Sequence, residues 1–460
     1  MERIRRFALN RLDENHFIGR FPMTTQASTT QAPKQATQAA LRAAIFVASL
    51  GYFVDVYDIA LFGIVRVASL KELGLNSQES LLTSGVYLLN MQMGGMLLGG
   101  LLWGVLGDKL GRVQVLFGSI LLYSIANLLN AFVQDVPSYA LLRLVAGIGL
   151  AGEIGAGITL VSEMMPKERR GLATMIVATV GVSGAIAAAV IGNIVYWRTA
   201  YIIGGIGGLS LLALRVGVYE SGLFNSVKKN KAVARGDLRM LLTPERAWRY
   251  LSCIFLGVPM FFFITLIVTL APELGRALGL QEEVSTVNAM LCHSIGITTG
   301  DLASGVLSQA LRSRKRSVAV FLACALVTIS GILLGHGQSA SYFYTLCLLA
   351  GFSIGYWCVL VTTAAEQFGT NLRATVASTV PNFVRGSTIP ISLSFLALKP
   401  YLGTVGATQL VGVVCFSLAA IGLYSLRESF AVDLNFLELR RPANSIPEEE
   451  TEEVRSVGNL

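Results

Sequence analysis

The sequence predicts an all-α membrane protein, with twelve transmembrane helices in two parallel six-helix pseudo-repeats. Three observations carry this prediction. Of 460 residues, 53% are hydrophobic and 14% charged, against about 25% charged in soluble domains; a soluble core this apolar would leave too few charges to solvate its surface. Apolar windows of about 20 residues, the length that crosses a ~30 Å hydrocarbon core, recur along the chain. Short polar motifs also repeat between its two halves.

The windows fall at 41–66, 81–105, 113–133, 137–162, 172–195 and 199–218, then at 250–270, 285–308, 317–335, 342–364, 375–398 and 401–425. The domain organisation read from them is a cytoplasmic tail (1–40), a six-helix bundle (41–218), a linker (219–249), a second bundle (250–428) and an acidic tail (429–460). Residues 1–22 are basic and lack the apolar core of a signal peptide, and Met23 offers an alternative start. Residues 23–40 are polar and low in complexity, so disorder is expected there. The EEETEE run near the C-terminus reads as solvated.

Orientation follows from Lys and Arg in the short loops, which favour the cytoplasmic side. One set of loops holds Lys109, Arg112, Lys167, Arg169, Arg170, Arg312, Arg314, Lys315, Arg316 and Arg373, besides the basic linker. The other set holds Arg66, Lys71, Arg198, Arg276 and Lys399. An even number of spans then puts both termini in the cytoplasm. A plasma membrane is the expected location, a bacterial inner membrane in particular.

The repeat is legible in three places. Gly104-Val-Leu-Gly-Asp108-Lys-Leu-Gly111-Arg112 after span 2 is echoed by Gly305-Val-Leu-Ser-Gln309-Ala-Leu-Arg312 after span 8. Glu163-x-x-Pro166-x-x-x-Arg170 is echoed by Glu366-x-x-Gly369-x-x-x-Arg373, and Glu220-Ser221 by Glu428-Ser429. Parallel repeats of this kind place a transporter's site between the halves, near the midplane.

Several function classes drop out. A net charge of +8 would suggest nucleic acid in a soluble chain, but here its sign follows membrane orientation. The six cysteines lack CxxC spacing, which argues against disulfides or zinc; they are expected to be buried, inert thiols. No HExxH-type motif or metal-ligand spacing is present, so neither an enzyme nor a cofactor is expected.

The stretch Gly51–Gly63, GYFVDVYDIALFG, carries two aspartates inside the first span. Each costs roughly 2.5–3.5 kcal/mol at a bilayer centre, and such groups normally face a wet cavity or an ion pathway. Asp58 lies about 12 Å below the outer end of span 1 and Arg143 about 9 Å below that of span 4, so their depths match. Asp55 lies one turn deeper on nearly the same face.

The Gly104–Arg112 loop, the Arg143-x-x-x-Gly147-x-Gly149 run, the Glu163…Arg170 motif and its echo together resemble the major facilitator superfamily over about residues 41–440. The resemblance implies alternating access, with spans 1, 4, 7 and 10 lining a central cavity. It implies that Gly104, Asp108, Gly111, Arg112, Glu163, Arg170, Glu366 and Arg373 form cytoplasmic latches, or that these charges satisfy helix ends. Gln309 stands where the repeat would place Asp, so the second latch is expected to be weaker. Tyr57-Asp58 resembles the first helix of sugar porters and of aromatic-acid and phosphate symporters, and Gly152-Glu153 resembles metabolite symporters.

From the resemblance, Asp58 and Arg143 are expected to pair as the proton-coupling site, with Asp55 and Glu153 as further candidates. A pair whose separation changes between states has two proton affinities, which couples substrate binding to proton uptake. A permanently closed structural ion pair is the alternative. Arg385 is expected either to bind a substrate anion bidentately or to pair structurally with Glu153 or another carboxylate. Gln92, Tyr356, Trp357, Asn382 and Tyr87 would complete a polar pocket. Asp301 is expected to extend the second latch, and His293 to be a packing residue.

The function read from these residues is proton-coupled symport of a small polar metabolite, an organic anion foremost. A sugar:proton symporter, a metabolite exporter and a non-transporting sensor are the alternatives. The expected partners are a small-molecule substrate, protons and the lipid bilayer, with no nucleic acid and a monomer sufficing.

Overall fold

A computed structural model describes residues 38–110, 112–153, 176–177, 179–220, 241 and 243–430. The expected N-terminal disorder, most of the linker and the acidic tail lie outside the described residues.

The chain is helical throughout the described residues. Helices α1 (Gln38–Glu72), α2 (Gln78–Leu110), α3 (Arg112–Asn130), α4 (Val136–Leu150), α5 (Gly184–Ile194) and α6 (Trp197–Glu220) make the first half. The second half begins with α7 (Pro244–Phe262), a π-helical turn (Phe263–Val268) and α8 (Ala271–Ala277). It continues with α9 (Thr286–Ala310), α10 (Arg314–Leu334), α11 (Ala340–Ser353), α12 (Trp357–Glu366), α13 (Thr370–Gly386) and α14 (Thr388–Ser425).

Seven runs among the described residues are long and apolar enough to cross a membrane. One of them, Thr375–Ser425, turns back at Gly403 (φ 68°) and so supplies two spans. Gln114–Asn130, Val136–Leu150 and Thr179–Ile194 are shorter apolar helices. With the more polar α9 these make the twelve spans.

Helix starts follow local chemistry. Asp135 accepts from the Ser138 N–H at 2.8 Å, with Pro137 in the first turn of α4. Ser285, Ser313 and Ser339 cap α9, α10 and α11 in the same manner. Two spans are broken inside the bundle, which the hydropathy windows did not foretell. Span 7 loses α-helical register at the π turn, just after Pro259, which lacks an N–H. Span 10 stops at Ile354 and restarts at Trp357.

The repeat appears in the packing as well as in the motifs. Helix α2 packs on α4 and α9 on α11, each along a glycine seam. A Cβ on Gly99 would sit 2.8 Å from Ile148 Cα, and one on Gly300 would sit 2.9 Å from Phe352 Cα. Only glycine permits such backbone approach. The halves meet where α2 packs on α13 and α5 on α9.

Candidate functional site

The first helix carries the site. A Cβ on Gly51 would collide with both the Glu153 carboxylate and the Arg215 guanidinium, so the absence of a side chain there seats that ion pair. The pair is buried on both sides, and Arg215 also donates to the Val47 carbonyl at 3.4 Å. One turn along, Asp55 is fully buried and neither of its oxygens has a hydrogen-bond partner. Glu153, Asp58, Arg215 and, from the opposite half, Arg385 act on it through space.

Arg385 sits near the end of α13, 3% exposed, with Nη1 unpartnered and its guanidinium carbon 5.7 Å from the centre of the Trp357 ring. Tyr52 lies within electrostatic reach of Arg385, Asp301 and Asp55. Buried charges from both halves therefore converge on one place, with donors and acceptors left uncommitted. Burial of uncommitted charge is expensive, and a ligand or proton that completes these groups gains what the empty site lacks.

Asp58 is buried inside the first half. Neither of its oxygens is hydrogen-bonded, and its Oδ1 would lie 2.5 Å from a Cβ on Gly204 of α6. Arg143 and Asn127 face it, yet the expected Asp58–Arg143 ion pair is not formed. Arg143 donates instead to Gln92 Oε1 and lies against Phe62 and Tyr201, at 4.9 and 5.7 Å from their ring centres. Its Nε and Nη1 have no partner. The two aspartates thus face different surroundings, Asp55 the junction of the halves and Asp58 the interior of one.

The contacts of the other residues singled out in the sequence are these. Glu153 pairs with Arg215 of α6 rather than Arg385. Gln92 is engaged by Arg143 through Oε1, leaving its Nε2 free. The Tyr356 hydroxyl donates to the Leu256 carbonyl at 2.9 Å, which makes it a packing tie within the second half. Trp357 packs 6.2 Å from Phe261 with its indole N–H unpartnered. Asn382 donates to the Ala151 carbonyl at 3.1 Å and so bridges the halves. Tyr87 is exposed. His293 packs 5.5 Å from Phe263, as a packing residue would. Asp301 Oδ1 accepts from the Cys358 N–H at 2.8 Å, a contact within the second half.

The residues expected to form latches are seen only in part. Glu163, Arg170 and Gly111, and the side chains of Asp108 and Arg112, lie outside the described residues. Among the described residues, a Cβ on Gly104 would meet nothing within 4 Å. Glu366 is held by Arg314 (3.2 Å) and Ser429 (2.7 Å) rather than by Arg373; Arg373 donates to the Ala365 and Phe368 carbonyls. All six cysteines are free, and Cys324 is exposed rather than buried.

Ties that sequence reasoning missed also join the halves. Arg66, taken as a loop residue, is buried and meets Glu273 at 2.7 Å and the Thr269 carbonyl at 3.2 Å. Lys399 meets Glu79 at 2.6 Å, and Ser392 donates to Asn90 Oδ1 at 2.7 Å.

Twelve spans in two repeats, with uncommitted buried charge where the halves meet, define a membrane transporter. The chain belongs to the major facilitator superfamily, whose profile matches residues 48–392. It is 26% identical over 387 residues to NiaP of Bacillus subtilis, a niacin/nicotinamide transporter by name, covering 82% of this chain and 92% of that one. It is 28% identical over 361 residues to the 3-(3-hydroxy-phenyl)propionate transporter of Escherichia coli, covering 73% and 86%. The crystal structure of a D-xylose-proton symporter superposes with a TM-score of 0.64 at 16% identity, covering 84% of this chain and 98% of that one, a likeness of fold. The chain is a multi-pass membrane transporter of a small molecule, not an enzyme.

Proposed function

We propose that this chain is a proton-coupled symporter that imports a small organic anion, with an aromatic carboxylate as the substrate class. One observation carries the reading. Arg385 of one half, buried with an unpartnered Nη1, faces Asp55 of the other half, buried with no hydrogen-bond partner. A substrate carboxylate would take Arg385 in a charge-assisted hydrogen bond, and a proton on Asp55 would remove the anion that competes for the same guanidinium. Trp357 and Phe261 offer aromatic surface beside that arginine. The names of the relatives, which handle niacin and a hydroxyphenylpropionate, point to the same chemistry.

Asp58 would be the second protonation site. Arg143, Asn127 and Gly204, which surround it, all belong to the first half, so protons and substrate would use separate groups linked through α1, which carries both aspartates. The cytoplasmic placement of both termini belongs to this reading, as does a bacterial inner membrane.

Uptake of labelled carboxylates into proteoliposomes tests the substrate class. Aromatic monocarboxylates are expected to enter and neutral sugars not to, with Arg385→Ala losing at least tenfold of the uptake. Sugar uptake that ignores the Arg385 substitution would overturn the reading.

A further inference from the structure

The tenth span is broken near its middle, and the break makes an anion-attracting helix end. Backbone angles leave helical values at Ile354 (φ −90°, ψ 1°) and Tyr356 (φ −123°, ψ 27°), and α12 starts at Trp357. The break is pressed against α9, where a Cβ on Gly355 would lie 2.7 Å from Asp301 N. In discontinuous membrane helices the N-terminus of the second segment is a site for anionic groups.

Here that end is already covered. Tyr356 makes no side-chain cap to its own helix. The cap comes from Asp301 of α9, buried and accepting the Cys358 N–H at 2.8 Å. Two buried donors beside the same end stay open, Trp357 Nε1 and Arg385 Nη1. They belong to the first residue of α12 and to the guanidinium lying over its ring. The site thus offers full positive charge at Arg385 and places a resident carboxylate on the neighbouring positive pole.

We propose that Asp301 is a specificity-determining residue that restricts the Arg385 site to monocarboxylates. The inference rests on the carboxylate reading given above. A single carboxylate docks on Arg385 and the Trp357 indole N–H. A second carboxylate on the same substrate needs the half-helix N-terminus, and there it meets the Asp301 charge at close quarters. Discrimination by a built-in repulsive group is effective when the rejected charge has no solvent to retreat into. Asp301→Asn keeps an oxygen to cap Cys358 and removes the charge, which opens that end to a second anionic group.

The test is equilibrium binding of benzoate and terephthalate, one ring with one or two carboxylates, to the purified full-length protein. Wild type is expected to bind benzoate and to bind terephthalate at least a hundredfold more weakly. Asp301→Asn is expected to bind benzoate about three- to tenfold more tightly, the effect of removing one charge at a helix N-terminus, and terephthalate within tenfold of benzoate. Asp301→Glu is expected to keep the wild-type preference. A benzoate-binding Asp301→Asn that still rejects terephthalate overturns the proposal, as does a wild type that binds both alike. Should Asp301→Asn fail to fold, Asp301→Ser, a second neutral cap, is read by the same criteria. Refusal of both acids by folded wild type defeats the carboxylate reading itself.

Discussion

Arg66 of the first helix and Glu273 of the short helix α8 lie 2.7 Å apart across the junction of the halves, the arginine side chain 1% exposed and the glutamate 10%. This buried pair ties the C-terminal end of α1 to the end of the seventh span, and Lys399–Glu79 and Ser392–Asn90 tie the second helix to the eleventh span. In the function proposed above this end of α1 is the outer one, and alternating access there would require these ties to break, and Arg66 and Glu273 to find water, each time the carrier opens outward.

Removing one partner of a buried pair leaves an uncompensated charge at a cost of about 3–5 kcal/mol. Glu273→Gln is expected to shift the population toward the outward-open state. Spin labels at the exposed positions Asn76 and Glu282 should report a longer distance in that variant. An unchanged distance distribution would show that the pair does not hold the outer side shut.

The Glu153–Arg215 pair over Gly51 predicts an asymmetry in stability. Arg215→Leu alone strands a buried carboxylate and should lower stability by roughly 3–5 kcal/mol, whereas Arg215→Met with Glu153→Gln should cost much less. Thermal unfolding in detergent separates the two. Equal losses would place the damage in packing rather than in charge.

Two glycines of one helix give a matched control. A Cβ on Gly204 would lie 2.5 Å from Asp58 Oδ1 and 3.0 Å from the Tyr57 ring, whereas one on Gly207 meets nothing within 4 Å. Gly204→Ala is expected to impair proton-driven accumulation at least tenfold. Gly207→Ala should leave it intact and change stability by no more than about 1 kcal/mol in its favour. Accumulation that survives Gly204→Ala would detach Asp58 from coupling.

Beyond the last span, Glu428 gathers the start of α10. Partial burial raises its pKa, but hydrogen bonds from Ser313 Oγ and from the N–H groups of Arg314 (2.8 Å), Phe430 (3.0 Å) and Lys315 (3.3 Å) outweigh that and hold it below the ordinary 4.5. A carboxyl whose pKa is lowered on folding stabilises above its unfolded value, and the gain is lost as pH falls through the folded value. Glu428→Gln should cost about 1 kcal/mol at pH 7, the size of a lost helix cap, and the difference from wild type should shrink below pH 4.5. A constant difference down to pH 3 would contradict this account.

The fold was legible because apolar length and loop charge are one-dimensional properties. Among the described residues the twelve windows survive as helices or broken helices, and the repeat reappears as the Gly99 and Gly300 seams. The site was legible in membership more than in pairing. Depth along a helix axis placed Asp58 and Arg143 at one level, but depth carries no azimuth, and Arg143 turned to Gln92. Arg215, three residues from the end of its window, was not singled out, and Arg66 was counted with a loop although α1 continues to Glu72. The break in span 10 left only Gly351 and Gly355 as traces, too little to foretell that Asp301 would cap a half-helix from another span.

The most direct measurement is internal pH in proteoliposomes holding the purified protein, after external addition of an aromatic monocarboxylate. The account predicts acidification of the lumen that follows uptake, is lost in Asp58→Asn, and is weakened in Arg385→Ala together with uptake. Carboxylate entry at full rate without acidification, or acidification untouched in Asp58→Asn and Asp55→Asn alike, would contradict it.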